Sequence, residues 1–242
     1  MDVAYWDAMA GAFDEEIFNS LQEDARGTIR RSIAEVSGPR KRVMDMGCGV
    51  GRYLPLLSRL FGEVHASDWS PQCVRQATRL AESLPNVTVD LPAAYRGRTW
   101  SGVFDVVTAI NVLFDPNAGR RTALLKDIRR LLKPRGRAVL VVPSLEAIAY
   151  ADAVRRVHAP RKKSLYTFGV RDSRTDPGVL HIQDVPYKHF VGEELVHALR
   201  TSGFVPGALE RVEYRWSTEA AAPPTQYDLA PPWDWIIVAR RN

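Results

Sequence analysis

The chain has 242 residues, of which 45% are hydrophobic and 25% are charged, and these values argue against a disordered chain, a collagen-like repeat and a coiled coil. The length suits one α/β domain with an insertion, or two small domains. The 33 basic and 28 acidic residues give a net charge of +5, an excess too mild to indicate a nucleic-acid partner by itself.

The two cysteines, Cys48 and Cys73, are too few for a disulfide framework and favour a reducing compartment. The histidines and cysteines form no cluster with metal-ligand spacing. The first residues are acidic where a signal peptide is basic, and no apolar run approaches the roughly 18 residues of a membrane span. We therefore expect a cytoplasmic protein with no metal and no membrane partner.

The first half of the chain alternates between predicted helices and strands. Apolar residues at three- and four-residue spacing predict one N-terminal helix from Tyr5 to about Val36. Short apolar segments then predict strands over 42–46, 64–68, 87–90, 104–110 and 137–142, with helices over 54–61, 70–83 and 119–132. This alternation indicates a parallel sheet covered by helices on both faces.

The second half is less regular. It predicts a helix over 144–158, strand-like segments near 165–170 and 179–185, a helix over 191–201, and strands over 209–216 and 234–240. We interpret residues 1–242 as one domain with an N-terminal helical lid over about 1–37 and a substrate-cap insertion over about 144–190.

The glycine-rich segment after the first predicted strand is the most informative part of the sequence. Gly47, Gly49 and Gly51 permit positive φ and close approach of the backbone to a ligand, and the following helix offers free N–H groups. A dinucleotide fingerprint would have glycine at the position of Arg52. Asp45 would repel a pyrophosphate, and a carboxylate there suits a cationic group such as an ammonium.

Asp68 ends the second predicted strand. In a doubly wound fold this position lies at the crevice where the strand order reverses, so the carboxylate can accept hydrogen bonds from both hydroxyls of a ribose. The neighbouring Trp69 is placed to pack on an adenine ring.

Taken together, these features resemble the class I S-adenosylmethionine (SAM)-dependent methyltransferases. The similarity lies in Asp-x-Gly-x-Gly-x-Gly at 45–51, Asp68, Phe-Asp-Val-Val at 104–107 and Leu-Leu-Lys-Pro-Arg-Gly at 131–136. It covers about residues 5–142, and less closely 188–241. The resemblance implies a Rossmann-like, seven-stranded, mostly parallel sheet with helices on both faces and an antiparallel C-terminal strand. It also implies SAM as cofactor and S-adenosylhomocysteine as product.

The resemblance further assigns roles by position. Asp45 would steer the SAM ammonium, Asp68 would bind the ribose, and Tyr5 and Trp6 would form a lid, with helix packing an equal alternative for that aromatic pair. The implied cofactor-binding set is Tyr5, Trp6, Asp45, Gly47, Cys48, Gly49, Gly51, Asp68, Trp69, Asp90, Leu91, Ile110 and Asn111.

The acceptor side is less defined by sequence. Methyl transfer needs the acceptor, methyl carbon and sulfur in line, and an acceptor that carries a proton also needs a base. His189 is the first candidate for that base, followed by His181 and Tyr187, and each has a structural role as its alternative. Trp216 and Trp233 are candidates either for the wall of a flat acceptor site or for the core.

The predicted function is therefore methyl transfer to O or N, or S, of a small-molecule acceptor by a monomer or homodimer. The alternatives are a tRNA or protein methyltransferase, a non-catalytic SAM-binding protein and a nicotinamide oxidoreductase. The basic run 155–163 either contacts an anionic acceptor or is a solvated helix end. The chain has no length left for an added RNA-binding domain, which argues against nucleic acid.

Overall fold

The computed structural model describes residues 3–13, 17–158, 176–182, 185–218 and 229–242. The strands are β1 (Gly38–Met46), β2 (Phe61–Ser67), β3 (Val87–Asp90), β4 (Phe104–Ile110), β5 (Leu132–Pro143), β6 (Val179–Ile182), β7 (Val185–Lys188), β8 (Phe204–Glu213) and β9 (Trp233–Arg241). The helices are α1 (Val3–Met9), α2 (Ser20–Glu23), α3 (Thr28–Val36), α4 (Leu54–Leu60), α5 (Pro71–Ala81), α6 (Ala118–Leu131), α7 (Leu145–His158) and α8 (Gly192–Thr201). Short 3₁₀ turns lie at Ala10–Ala12, Pro92–Tyr95, Arg98–Trp100 and Trp216–Thr218.

Seven strands form one sheet in the order β3-β2-β1-β4-β5-β9-β8. Strands β1 to β5 pair with one another in parallel, whereas β9 is antiparallel to both β5 and β8. This architecture confirms the predicted fold class. Because the order reverses between β1 and β4, the crevice at their carboxyl ends is where a ligand is expected.

The prediction of one long N-terminal helix is wrong. The segment forms α1, α2 and α3, with Asn19 capping α2 through its side chain, which accepts a hydrogen bond from Gln22 N at 3.2 Å. Gly27 precedes α3 with φ +66°, a left-handed conformation that interrupts a right-handed helix.

The remaining differences concern element ends. β1 begins at Gly38, because Gly38 pairs with Phe61 before an irregularity in register, and β8 begins at Phe204, five residues before the predicted start. The predicted strand-like segment at 179–185 lies in a separate hairpin of β6 and β7, in which Leu180 pairs with Tyr187. The segment predicted near 165–170 lies outside the described residues.

The core occupies both faces of the sheet. On one face, α3 and α4 bury Ile29, Ile33, Leu54 and Leu57. On the other, α6 and α8 bury leucines and isoleucines against alternate residues of β4, β5 and β9. Since both faces are covered, the carboxyl-end edge of the sheet remains for ligand binding. No helix in the described part of the chain is long and apolar enough to cross a membrane.

Candidate cofactor and acceptor site

The glycine loop joins β1 to α4 in a left-handed backbone conformation. Gly47, Gly49 and Gly51 have φ of +73°, +54° and +93°. A Cβ on Gly47 would lie 2.5 Å from a methyl of Val112, and one on Gly49 would lie 2.7 Å from the Phe13 ring. The chain itself therefore occupies the room beside these two glycines, whereas the sequence analysis assigned that room to a ligand.

Arg52 has a role that the sequence analysis missed. Its guanidinium donates to the carbonyls of Phe13 at 2.6 Å, Ile17 at 2.9 Å and Phe18 at 3.2 Å, and lies 4.8 Å from the centroid of the Phe13 ring. The residue that replaces the third glycine of a dinucleotide fingerprint thus holds the segment between α1 and α2 against the glycine loop.

Asp45 presents a buried oxygen without a partner. The side chain is 2% exposed, and its Oδ1 accepts a hydrogen bond from the Thr108 hydroxyl at 2.7 Å. Its Oδ2 has no hydrogen-bond partner among the described residues. The pKa of Asp45 is raised to about 6, mainly by burial and to a lesser extent by the nearby charge of Asp68, against the Thr108 hydrogen bond. An incoming cation would satisfy this oxygen and favour the ionised form.

Asn111 presents a second orphaned acceptor at the end of β4. Its backbone has φ +53°, and its N–H donates to the carbonyl of Val141 at 2.9 Å. The side-chain oxygen is buried with no partner in the described part of the chain. Ile110, one residue earlier, is buried. Because β1 and β4 are adjacent, Asp45 and Asn111 place two unpaired oxygens at the same edge of the sheet.

Asp68 links the glycine loop to the end of β2. Its Oδ2 accepts a hydrogen bond from Gly49 N and its Oδ1 from Ser70 N, both at 2.9 Å. Burial raises the pKa of the Asp68 carboxyl, although these backbone hydrogen bonds oppose the shift. Each oxygen keeps acceptor capacity for a hydroxyl, so the position suits a ribose while also fixing the loop.

The predicted adenine residues lie at the open end of the same edge. Trp69 is 60% exposed, and Asp90 and Leu91 are exposed. Asp90 pairs with Ser67, so it lies one strand away from Asp68. Cys48, by contrast, is a buried thiol whose pKa is raised by burial, and it donates to the carbonyl of Gly49 at 3.5 Å, which makes it a packing residue of the loop.

The first helix lies across this edge. The Tyr5 and Tyr187 hydroxyls share a hydrogen bond with an O–O distance of 3.3 Å, and the Trp6 ring lies 6.1 Å from that of Phe114. Asp7, which the sequence analysis missed, accepts hydrogen bonds from the Ser70 hydroxyl at 2.5 Å and from Gln72 N at 3.1 Å. An acidic residue there caps the first turn of α5 and so docks α1 beside Asp68.

The three candidates for the catalytic base differ in burial and in hydrogen-bond partners. His189 is 3% exposed, and its Nδ1 lies 3.2 Å from the carbonyl oxygen of Tyr187. Since a carbonyl only accepts, Nδ1 carries the hydrogen and Nε2 keeps its lone pair. Burial lowers the pKa of His189 to about 4, so the ring is neutral at pH 7. Tyr187 is half-buried beside Tyr5 and Phe114, and burial raises its pKa; His181 is exposed on the other strand of the hairpin.

A buried lysine secures the segment that carries His189. Lys188 is fully buried, and its Nζ lies 3.0 Å from Asp176 Oδ1 and 2.6 Å from Glu194 Oε1. Arg121 of α6 also pairs with Asp176. These ion pairs fasten the hairpin to α6 and α8. Neither periodicity nor a motif signals this network in the sequence, because its members lie far apart in the chain.

The basic run 155–163 is described only as far as 158. Arg155 is buried and pairs with Asp152, and Arg156 lies 2.7 Å from the same carboxylate. Two of its five basic residues therefore pair with one shared carboxylate within α7. The part of the chain that the structure describes holds no group of three or more His, Cys, Asp or Glu that could bind a metal ion.

Comparison with known proteins agrees with this geometry. Residues 43–136 match the family model described as "Methyltransferase domain". The chain is 34% identical over 120 residues to the ubiquinone biosynthesis O-methyltransferase of Xanthomonas oryzae. The aligned region covers 47% of each protein, so the chain spans about half the length of that relative.

Solved structures share the fold across most of the chain. A SAM-dependent methyltransferase from Methanosarcina mazei has a TM-score of 0.61 at 20% identity and covers 87% of this chain and 96% of its own. The 1,6-didemethyltoxoflavin-N1-methyltransferase of Burkholderia thailandensis has a TM-score of 0.62 at 16% identity, and the match covers 99% of this chain and 87% of that protein.

The sheet order, the left-handed glycine loop and the carboxylates at the ends of β1 and β2 together define a Rossmann-like methyltransferase domain. The family match covers residues 43–136, which include the glycine loop and Asp68. The comparisons therefore support the resemblance to the class I SAM-dependent methyltransferases found in the sequence.

Proposed function

We propose that this chain binds SAM and transfers its methyl group to O or N, or S, of a small-molecule acceptor. The observation that carries the proposal is the buried Oδ2 of Asp45, which lacks a partner in the described chain and lies before a left-handed glycine loop. An amino-acid ammonium has the charge and the donors that this oxygen and Asn111 Oδ1 need. The residues present therefore fit the cofactor.

The chain's own residues bind and orient in this mechanism. Asp45 and Asn111 hold the ammonium, and Asp68 holds the ribose hydroxyls while fixing Gly49. Trp69, Asp90 and Leu91 flank the adenine. Bound SAM supplies an electrophilic methyl carbon, so the protein chiefly has to orient the acceptor for in-line attack. Where the acceptor carries a proton, we propose that His189 Nε2 takes it. Nε2 has the free lone pair, because Nδ1 carries the hydrogen that is donated to the Tyr187 carbonyl.

The N-terminal residues serve as the lid and the segment after β5 as the cap in this proposal. Support for the lid comes from Asp7 at the start of α5 and from the Tyr5–Tyr187 hydrogen bond, which joins α1 to the hairpin. The small-molecule class of acceptor is supported by the relatives, whose names specify ubiquinone biosynthesis and a toxoflavin precursor. We assign no oligomeric state beyond a monomer or homodimer.

Calorimetric titration tests the proposal. S-adenosylhomocysteine should bind the wild-type chain and NADH should not. Asp45→Asn keeps the shape of the side chain but removes its charge, and should weaken S-adenosylhomocysteine at least tenfold, since a hydrogen bond to a charged group contributes about 1.5–3 kcal/mol. The matched control is Asp127→Asn on α6, where the carboxylate is exposed and pairs with Arg130. NADH binding without S-adenosylhomocysteine binding would reject the assignment.

A further inference from the structure

Four aromatic side chains cluster at the carboxyl edge of the sheet beyond β5. The ring of Tyr150 on α7 lies 5.8 Å from that of Trp216 and 5.9 Å from that of Trp233, centroid to centroid. Trp233 in turn lies 5.9 Å from Trp235. We refer to Tyr150, Trp216, Trp233 and Trp235 as the acceptor-side aromatic cluster.

Two indole N–H groups of this cluster lack an acceptor. Trp233 is 7% exposed, and neither its Nε1 nor the shielded Nε1 of Trp216 has a hydrogen-bond partner among the described residues. Trp235 differs, since its indole donates to Glu146 Oε2 at 3.0 Å. A buried donor without an acceptor is unfavourable, so two such donors in one cluster indicate an oxygen supplied by a ligand.

Positive charge lies beside the same donors. The guanidinium carbon of Arg211 lies 3.9 Å from the centroid of the Trp233 ring and 5.8 Å from that of Trp235. A stacked guanidinium keeps its N–H groups pointing outward in its own plane. The cluster thus offers a cation stacked on Trp233 and two neutral donors, the indoles of Trp233 and Trp216, whose rings both contact that of Tyr150.

The nearby carboxylates are already engaged. Glu213, which is opposite Trp233 in the β8–β9 register, pairs with Arg26 at 2.6 Å. Asp234 follows Trp233 in β9, and its Oδ2 accepts a hydrogen bond from the Tyr214 hydroxyl at 2.9 Å. These carboxylates therefore do not meet the hydrogen-bonding needs of the two indoles.

The cluster stands within reach of the proposed methyl-transfer position. Asp234 pairs with Pro143 at the end of β5, and β5 lies beside β4, which ends at Asn111. Strands are about 4.8 Å apart, so β9 lies about 10 Å from β4 across the sheet. A planar acceptor of two fused or linked rings spans that distance.

We infer that the acceptor-side aromatic cluster binds a carboxylate carried on a planar aromatic acceptor. The indole N–H groups of Trp216 and Trp233 donate to its oxygens, Arg211 supplies the opposite charge, and Tyr150 flanks the ring. The inference rests on the proposed function and deepens it, because it assigns the acceptor a chemical class: a planar aromatic acid.

Indole NMR resonances test this directly. Protein with ¹⁵N-labelled tryptophan, saturated with S-adenosylhomocysteine, is titrated with 2-naphthoate and, in parallel, with the uncharged 2-naphthamide. The resonances that disappear in Trp216→Phe and Trp233→Phe should shift downfield with 2-naphthoate. Trp233→Phe and Arg211→Gln should each weaken 2-naphthoate about tenfold, and 2-naphthamide should bind the wild type at least tenfold more weakly than 2-naphthoate.

Trp100→Phe is the matched control, because Trp100 stacks on Phe104 in a different cluster, and it should leave 2-naphthoate affinity unchanged. Equal binding of the amide, unshifted Trp216 and Trp233 resonances, or unchanged affinity in Trp233→Phe would each overturn the subsite. Calorimetry with S-adenosylhomocysteine on the wild type and every variant separates the two proposals. If S-adenosylhomocysteine does not bind the wild type, the methyltransferase proposal is rejected. If it binds but the protein does not respond to 2-naphthoate, only the subsite is rejected.

Discussion

Single buried groups carry most of the chemistry at this site. Asp45 is a carboxylate at the end of a central parallel strand, with one oxygen held by Thr108 and the other without a partner in the described residues. Burial of an unpaired charge is unfavourable, so the pKa of this carboxyl is raised to about 6 and a proton neutralises it below that pH. A cationic ligand can replace that proton.

Cofactor affinity should therefore depend on pH. The pKa of Asp45 is about 6, so the carboxylate is mostly ionised at pH 7 and mostly protonated at pH 5. Since an ammonium binds the ionised form, S-adenosylhomocysteine should bind about tenfold more weakly at pH 5 than at pH 7. Calorimetry at both pH values measures this. Asp45→Asn should bind weakly at both, and a wild-type affinity that is independent of pH would remove Asp45 from the ammonium.

Short segments are positioned by contacts that join distant parts of the chain. Arg52 binds three carbonyls of the segment between α1 and α2, and Phe13 of that segment fills the room beside Gly49. The glycine loop is therefore a packing surface as well as a ligand-binding loop. This explains why its glycines are needed even where no ligand approaches.

A pair of glycine substitutions separates backbone strain from this contact. Gly27→Ala and Gly49→Ala both place a side chain at positive φ, which costs about 1–2 kcal/mol. Only Gly49→Ala also meets Phe13, at 2.7 Å, whereas the space around Gly27 is open. Urea unfolding should show the larger loss for Gly49→Ala. Adding Phe13→Leu should recover part of the difference; equal losses for the two glycine variants would mean that Phe13 does not pack on the loop.

The stability of the whole molecule against acid reflects two buried titratable groups, His189 and Asp45. Lys188, buried with Asp176 and Glu194, holds the hairpin on which the neutral His189 sits. Protonating His189 would add a second positive charge beside Lys188 in a buried setting. Asp45 has the opposite effect on the free energy of unfolding. Because its pKa is raised in the folded state, the folded state binds a proton more readily, and Asp45 stabilises the protein as the pH falls.

His189 should make the protein less stable in acid. The pKa of His189 is about 4 in the folded protein and about 6.5 in the unfolded chain. The contribution of the neutral ring to the free energy of unfolding is therefore complete above pH 6.5 and is lost as the pH falls towards 4. The shift corresponds to about 3 kcal/mol at its full extent. Urea unfolding of the wild type and His189→Gln at pH 4.5 and 7.5 measures it, since the contribution of Asp45 cancels in the difference.

The matched control for that measurement is His197→Gln, on the exposed side of α8. His189→Gln should lose less stability than the wild type between the two pH values, and His197→Gln should follow the wild type. A wild-type-like pH dependence in His189→Gln would show that another group dominates acid unfolding.

Local patterns in the sequence are enough to predict the fold class and the order of the central elements. Alternating apolar strands and helices specify a parallel sheet through local periodicity, and the glycines and acids at strand ends mark the ligand edge, because both signals lie within a few neighbouring residues. β3 and β4 were predicted with their observed bounds. The site roles assigned from the family resemblance remain predictions, including those of Asp68 and His189.

Which distant groups share an environment depends on the folded chain. The contacts of Arg52 and Asp7 and the Lys188 ion pairs join residues far apart in the chain. Packing likewise leaves the indoles of Trp216 and Trp233 without partners among the described residues. Periodicity reports which face of an element is buried, but hydrogen-bond partners and desolvation depend on what packs against that face. For the same reason, the chemistry of the acceptor emerges from the folded edge of the sheet and not from any motif.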